Sequence, residues 1–166
     1  KTYVWAREDA GDVLDGLRHG RIFVVTGDLI DGLSMQARSG KAVATSGDTL
    51  KVKAGARITL EVELHVPDTR NAHGDRPELV HVDVIAGEAG DAGPAMRVTS
   101  LTANDRQRKD GRIRFSMDVP APAKNGFVRV RGSSTGERDP AADVPGEDPW
   151  KDLWFYSNPI FIEAQG

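Results

Sequence analysis

The sequence contains no cysteine, which excludes disulfide bonds and metal sites built on thiolates. Aromatic residues make up only 6% of the chain. No apolar run approaches the roughly 20 residues that are needed to span a bilayer. We therefore expect a soluble protein without a membrane partner, and the sequence leaves its cellular location open.

Neither sign of charge dominates the chain. Its 22 Lys and Arg residues and 25 Asp and Glu residues give a formal net charge of −3. Proteins that bind nucleic acid usually carry a clearly basic face, so this balance predicts no nucleic-acid partner. A chain of 166 residues is long enough to bury the core of one domain without covalent crosslinks.

A short helix is predicted near the N-terminus. Asp9 is a suitable N-cap, Arg18 and His19 suit the last turn, and Gly20 can take the left-handed conformation that ends a helix. One apolar stripe recurs at helical spacing: Ala10, Val13, Leu14 and Leu17. Two glycines weaken this helix, so we expect its stripe to dock on another surface.

The remainder of the chain is typical of β-strands separated by turns. Residues 57–66 alternate apolar and polar side chains strictly, which predicts a strand with one face on a core and one face in water. Seven to nine such segments follow one another. The sequence therefore predicts a mainly β fold, an immunoglobulin-like antiparallel β-sandwich with one short N-terminal helix.

Three stretches together resemble one enzyme family. Residues 17–27, LRHGRIFVVTG, resemble the segment that follows the catalytic barrel in PHP-type metal-dependent phosphoesterases. Residues 128–132, VRVRG, are similar to the penultimate strand of the sandwich appended to those barrels. Residues 154–160, WFYSNPI, resemble the W-x-S-N-P-I ending of the same module, with Phe155 and Tyr156 between the tryptophan and the serine.

The resemblance implies an accessory role. PHP enzymes hold divalent metals through a His-x-His, an Asp-x-His and further ligands, and neither motif occurs in this chain. We accordingly expect residues 1–27 to be a helix–strand connector from a catalytic domain that lies upstream, and residues 28–166 to be a β-sandwich domain. This reading implies no catalytic residue, metal ligand or cofactor in this chain, and metals only in the catalytic domain.

The same reading identifies the partner and two contact regions. The partner is the upstream domain of the same polypeptide, and an uncovered interface also allows self-association. A turn on the substrate side is expected at Thr26, Gly27 and Asp28. An inter-domain or ligand surface is expected at Trp150, Trp154, Tyr156, Arg129 and Arg131. An exposed apolar patch is expected around Trp5, Leu14, Leu17 and the C-terminal aromatic residues.

Other functions remain open from the residues alone. Tryptophans beside an acidic loop are typical of carbohydrate binding, and the oxygens of that loop suit calcium: Glu137, Asp139, Asp143, Glu147, Asp148 and Asp152. His65, His81 and Asp83 could ligate zinc, although solvent-facing strand polars explain them better. Four arginines, at 112, 114, 129 and 131, are expected to alternate outward on two paired strands. They could bind phosphate or pair with Glu61, Glu63 or Asp118.

Overall fold

The computed structural model describes residues 1–88, 95–101, 107–140, 142 and 145–165. These residues form one helix, α1 (Ala10–Arg18), and strands that pack as two sheets. The strands are β1 (Thr2–Val4), β2 (Ile22–Val25), β3 (Gly32–Ser39), β4 (Ala42–Thr45), β5 (Thr49–Lys53), β6 (Arg57–His65), β7 (His81–Glu88), β8 (Ala95–Leu101), β9 (Gln107–Lys109), β10 (Arg112–Pro120), β11 (Gly126–Ser133), β12 (Trp154–Ser157) and β13 (Ile160–Gln165). Within the described ranges, no helix has the length and apolarity to cross a membrane.

The larger sheet has eight strands, in the order β1-β2-β12-β11-β13-β5, with β7 and then β8 on the other side of β11. The smaller sheet has five strands, in the order β4-β3-β6-β10-β9. Strands β12 and β13 pair with opposite ends of β11. Pro159 separates them, so β12 pairs with β2 and β13 pairs with β5. The β13–β5 pair is parallel, which the expectation of an antiparallel sandwich did not include.

The core lies between the two sheets. Strand β6 confirms the predicted alternation, because its polar side chains face outward and its apolar side chains are buried. The buried ones are Ile58, Leu60, Val62 and Leu64. The larger sheet faces them with a second apolar layer that includes Val82, Val84, Val128, Val130 and Phe155. Each fully buried side chain of this size contributes about 1.5–3 kcal/mol to stability. The mainly β sandwich with one short helix is confirmed.

The N-terminal segment is continuous with the larger sheet. Strand β1 pairs with β2, and β2 pairs with β12. The predicted helix is confirmed, since the side chain of Asp9 accepts a hydrogen bond from Asp12 N at 2.8 Å and Gly20 has φ +68°. The assignment of residues 1–27 to a connector from another domain remains a prediction, but their two strands belong to the sandwich.

The expected pairing of the two arginine-bearing strands is wrong. Strand β10, with Arg112 and Arg114, pairs with β6 and β9 in the smaller sheet. Strand β11, with Arg129 and Arg131, lies in the larger sheet. Pro120 ends β10, and the segment after it crosses from one sheet to the other. The four guanidinium groups therefore do not share a face.

Candidate functional site

The first and last stretches of the family resemblance lie side by side. Strands β2 and β12 pair antiparallel, with Val25 opposite Phe155 and Phe23 opposite Ser157. Thr26 extends the ladder, because its amide donates to the carbonyl of Trp154 at 2.9 Å and its hydroxyl accepts from the amide of Trp154 at 2.7 Å. Two motifs that are far apart in the sequence thus form one structural joint.

Asn158 and Pro159, which separate β12 from β13, form hydrogen bonds near the end of the helix. The amide of Gly47 donates to the carbonyl of Pro159 at 2.8 Å, and Asn158 donates to the carbonyl of Ile22 at 3.2 Å. Gly47 has φ +89°, and a Cβ placed there would lie 2.0 Å from the carbonyl oxygen of His19. The helix end, the turn before β5 and the Asn-Pro break therefore meet with no room for a side chain.

The turn at Thr26, Gly27 and Asp28 lies at one end of the sandwich. Gly27 and Asp28 have φ +55° and +59°, and a Cβ on Gly27 would lie 2.3 Å from a methyl carbon of Leu153. Lys1 Nζ lies 2.5 Å from Asp28 Oδ1. The sharp reversal and the close packing explain a glycine here, and contact with a substrate stays a prediction.

Asn71 ties the long loop between β6 and β7 to that turn. Its side-chain nitrogen donates to the carbonyl of Gly27 at 3.3 Å, and its side-chain oxygen accepts from the amides of His73 and Asp75, each at 3.0 Å. His73 stacks on Trp150 with ring centroids 5.2 Å apart. The hydrogen bond to Asp75 raises the pKa of His73 above its usual value. Trp150 is therefore part of this loop cluster.

Trp154, Tyr156 and Arg131 lie together on the outer face of the larger sheet. The two rings stack with centroids 6.0 Å apart, and the Arg131 guanidinium carbon lies 5.8 Å from the Trp154 ring centroid. Trp154 and Arg131 are only 4% and 7% exposed. These two side chains are therefore covered, and a contact surface that they form with Trp150, Tyr156 and Arg129 stays a prediction.

A buried carboxylate underlies this group and was missed. Asp83 is fully buried and accepts from Arg131 Nε at 3.1 Å and from the hydroxyl of Ser100 at 2.8 Å. His81 Nε2 lies 2.8 Å from Asp83 Oδ1, the oxygen that accepts from Ser100, and the His81 side chain is only 12% exposed. The prediction that His81 and Asp83 face solvent is wrong. Strand β7 lies between β11 and β8, and the apolar run around Asp83 was the available signal.

Arg131 connects this carboxylate to the acidic loop. Its Nη1 lies 2.8 Å from Asp139 Oδ1, and its Nη2 donates to the carbonyl of Arg138. Burial works against the charged form of Arg131, but the hydrogen bonds to Asp139 and Asp83 prevail and raise its pKa. Asp143 of the acidic loop lies outside the described residues. Among the described side chains, no group of three or more His, Asp or Glu residues is arranged to hold a metal ion.

The remaining arginines differ in their partners. Arg112 and Arg114 both pair with Glu63 across the smaller sheet, and Arg114 Nε lies 2.5 Å from Glu63 Oε2. This outcome confirms cross-strand pairing for these two residues. Arg129 differs, because its Nε is buried and has no hydrogen-bond partner among the residues that the structure describes.

Helix α1 turns its apolar stripe away from the sandwich. Gly16 is its buried residue, and a Cβ there would lie 2.6 Å from Val4 and 3.0 Å from the carbonyl oxygen of Trp5. The apolar side chains point outward instead: Trp5 is 49% exposed, Leu14 52% and Leu17 44%, and Val13 is also exposed. The predicted exposure of Trp5, Leu14 and Leu17 is confirmed, whereas the inclusion of the C-terminal aromatic residues is wrong for Trp154 and Phe155, which are buried.

Comparison of the chain with protein-family models, with curated proteins and with solved structures gives no match.

Proposed function

We propose that this chain is a non-catalytic accessory module of a PHP-type metal-dependent phosphoesterase and docks on the catalytic domain through helix α1. The observation that carries the proposal is the orientation of the helix. It packs on β1 through Gly16 and leaves Trp5, Val13, Leu14 and Leu17 uncovered. Amphipathic helices of this length gain most of their stability by burying the apolar face. We therefore expect the exposed stripe to pack against another surface.

The position of the helix in the sequence supports the catalytic domain as the occupant. The docking stripe is defined as Trp5, Val13, Leu14 and Leu17, and its last residue, Leu17, begins the segment that resembles the connection after the PHP barrel. Arg21 fixes the end of this segment, because its Nη2 donates to Asp15 at 2.7 Å and its Nε donates to the carbonyl of Trp5 at 3.5 Å. The stripe is thereby held in place, as a contact surface with a catalytic domain requires.

The proposal gives the sandwich a structural task. Its joint between β2 and β12 fixes where the helix ends relative to the turn at Thr26, Gly27 and Asp28. A barrel seated on the helix would lie beside that turn, so the module would shape access to the metal site without supplying a ligand. Divalent metals belong to the barrel in this account, and the reaction class is phosphoester hydrolysis.

Hydrogen–deuterium exchange tests the docking. Amides of α1 should exchange more slowly in the intact parent enzyme than in the present chain, because docking covers the stripe. The double variant Leu14→Asp, Leu17→Asp should remove that difference while leaving the sandwich folded. Val43→Asp is the control, since Val43 is 45% exposed on β4 of the smaller sheet. Equal exchange of α1 in both proteins would overturn the proposal.

A further inference from the structure

We infer that the outer face of the larger sheet carries an oxyanion-binding site built from Arg129, Arg131, Trp154 and Tyr156, which Asp139 closes in the present structure. The ligand class is a phosphate or carboxylate group on a small molecule. This inference goes beyond the proposed docking role and uses none of the residues of the docking stripe, so the two can fail independently.

The charges of two guanidinium groups affect the phenol of Tyr156 on the outer face of the larger sheet. Tyr156 lies opposite Arg131 in the β11–β12 pair. Arg129 lies two residues before Arg131 and therefore on the same face of β11. Burial raises the pKa of Tyr156, while the charges of Arg131 and Arg129 act in the opposite direction. Trp154 stacks on Tyr156 and completes an aromatic wall beside the two cations.

The group has hydrogen-bond donors without acceptors. Arg129 Nε and Trp154 Nε1 are both buried, and neither has a partner among the described residues. Arginine and tryptophan side chains can only donate, so another such side chain cannot satisfy them. Buried donors without a partner are rare in native proteins. An oxyanion accepts hydrogen bonds with every oxygen, and it matches the planar fork of a guanidinium group.

Asp139 already shows how such a ligand binds. Arg131 directs Nε to the fully buried Asp83 and Nη1 to Asp139. The side chain of Asp139 is 81% exposed and sits on a loop, so this carboxylate can leave, whereas Asp83 cannot. Asp152 and Asp139 are the acidic groups that act on Tyr156, and Asp139 is the one in contact with Arg131. We therefore assign Asp139 as the internal competitor of the ligand.

NMR titration of the whole chain tests this site. The chain has three tryptophans, so its ¹H–¹⁵N spectrum shows three indole signals, and Trp154→Phe assigns one of them. Inorganic phosphate and sodium acetate are added in separate arms at constant ionic strength. The Trp154 indole signal should shift and saturate at millimolar concentration in one arm or both, while those of Trp5 and Trp150 stay in place. The arm that saturates identifies the ligand as phosphate or carboxylate.

Variants separate a binding site from general charge effects. Asp139→Ala should tighten binding about threefold to fivefold, the factor that an exposed ion pair contributes. Asp68→Ala removes the same charge from an exposed pair with Arg76 and should change nothing. Arg129→Gln should weaken binding about tenfold or more, and Arg129→Lys should not restore it, because lysine lacks the fork. An indole signal that does not saturate in the parent chain or in Asp139→Ala would overturn the inference.

Discussion

Asn158 donates a hydrogen bond from its side-chain nitrogen to the carbonyl oxygen of Gly20 at 2.8 Å, although the two residues are 138 positions apart in the sequence. Asn158 belongs to the closing motif of the chain, and Gly20 ends the region of α1. The pair joins the end of the helix to the break between β12 and β13. In the structure, the residues of the family resemblance are thus joined by contacts that hold the fold.

Replacing Asn158 by alanine should destabilise the protein by about 1–3 kcal/mol, because the partly buried carbonyl of Gly20 loses its donor. Asn125→Ala is the comparison, since Asn125 is exposed and its side chain accepts from the amide of Ala164. Its cost should be about 0.5 kcal/mol or less. Urea unfolding followed by circular dichroism measures both values, and equal costs would contradict the role given to Asn158.

Gly47→Ala should destabilise far more than Gly55→Ala. Both glycines have positive φ, +89° and +72°, so both variants carry the backbone strain of that region. A Cβ at Gly47 would meet the carbonyl oxygen of His19 at 2.0 Å, whereas nothing lies within 4 Å of a Cβ at Gly55. The difference in the free energy of unfolding should be about 2 kcal/mol or more. Similar values for the two variants would contradict this explanation, because they would show that His19 and Gly47 can move apart at no energetic cost.

Asp83→Ala should cost about 3–5 kcal/mol, because it leaves the buried guanidinium group of Arg131 without its inner partner. Asp118→Ala removes a half-exposed carboxylate that pairs with Arg57 at 3.3 Å and should cost less than about 1 kcal/mol. The double variant Asp83→Ala, Arg131→Met should recover part of the loss, since it removes the unpaired charge. Thermal unfolding measures all three, and a double variant no more stable than Asp83→Ala would contradict this explanation.

Glu63 should make stability depend on pH in the acid range. Hydrogen bonds from Arg114 and then Arg112 hold the pKa of Glu63 below its usual value in the folded protein. A group with a lowered folded-state pKa stabilises the protein above its unfolded-state pKa, and the effect is lost as pH falls through the folded-state pKa. Glu63→Gln should therefore flatten this part of the stability curve. Glu61→Gln, on the same strand, controls for the lost charge, and an equal flattening there would contradict the assignment.

Local patterns were sufficient where one face of an element is buried. The alternation of residues 57–66 identified β6, and Asp9 with Gly20 identified the helix. The prediction was wrong where a strand is covered on both faces, because alternation cannot indicate that Asp83 of β7 lies under Arg131 and the loop after β11. It was also wrong for β10 and β11, since a short connection suggests a hairpin and no local signal shows a crossing between sheets.

The most direct test of the account is to read the coding sequence immediately upstream of the codon for Lys1. We expect a PHP barrel there, with a His-x-His near its first strand and an Asp-x-His before the start of the present chain. An upstream region that encodes an unrelated domain would contradict the accessory role.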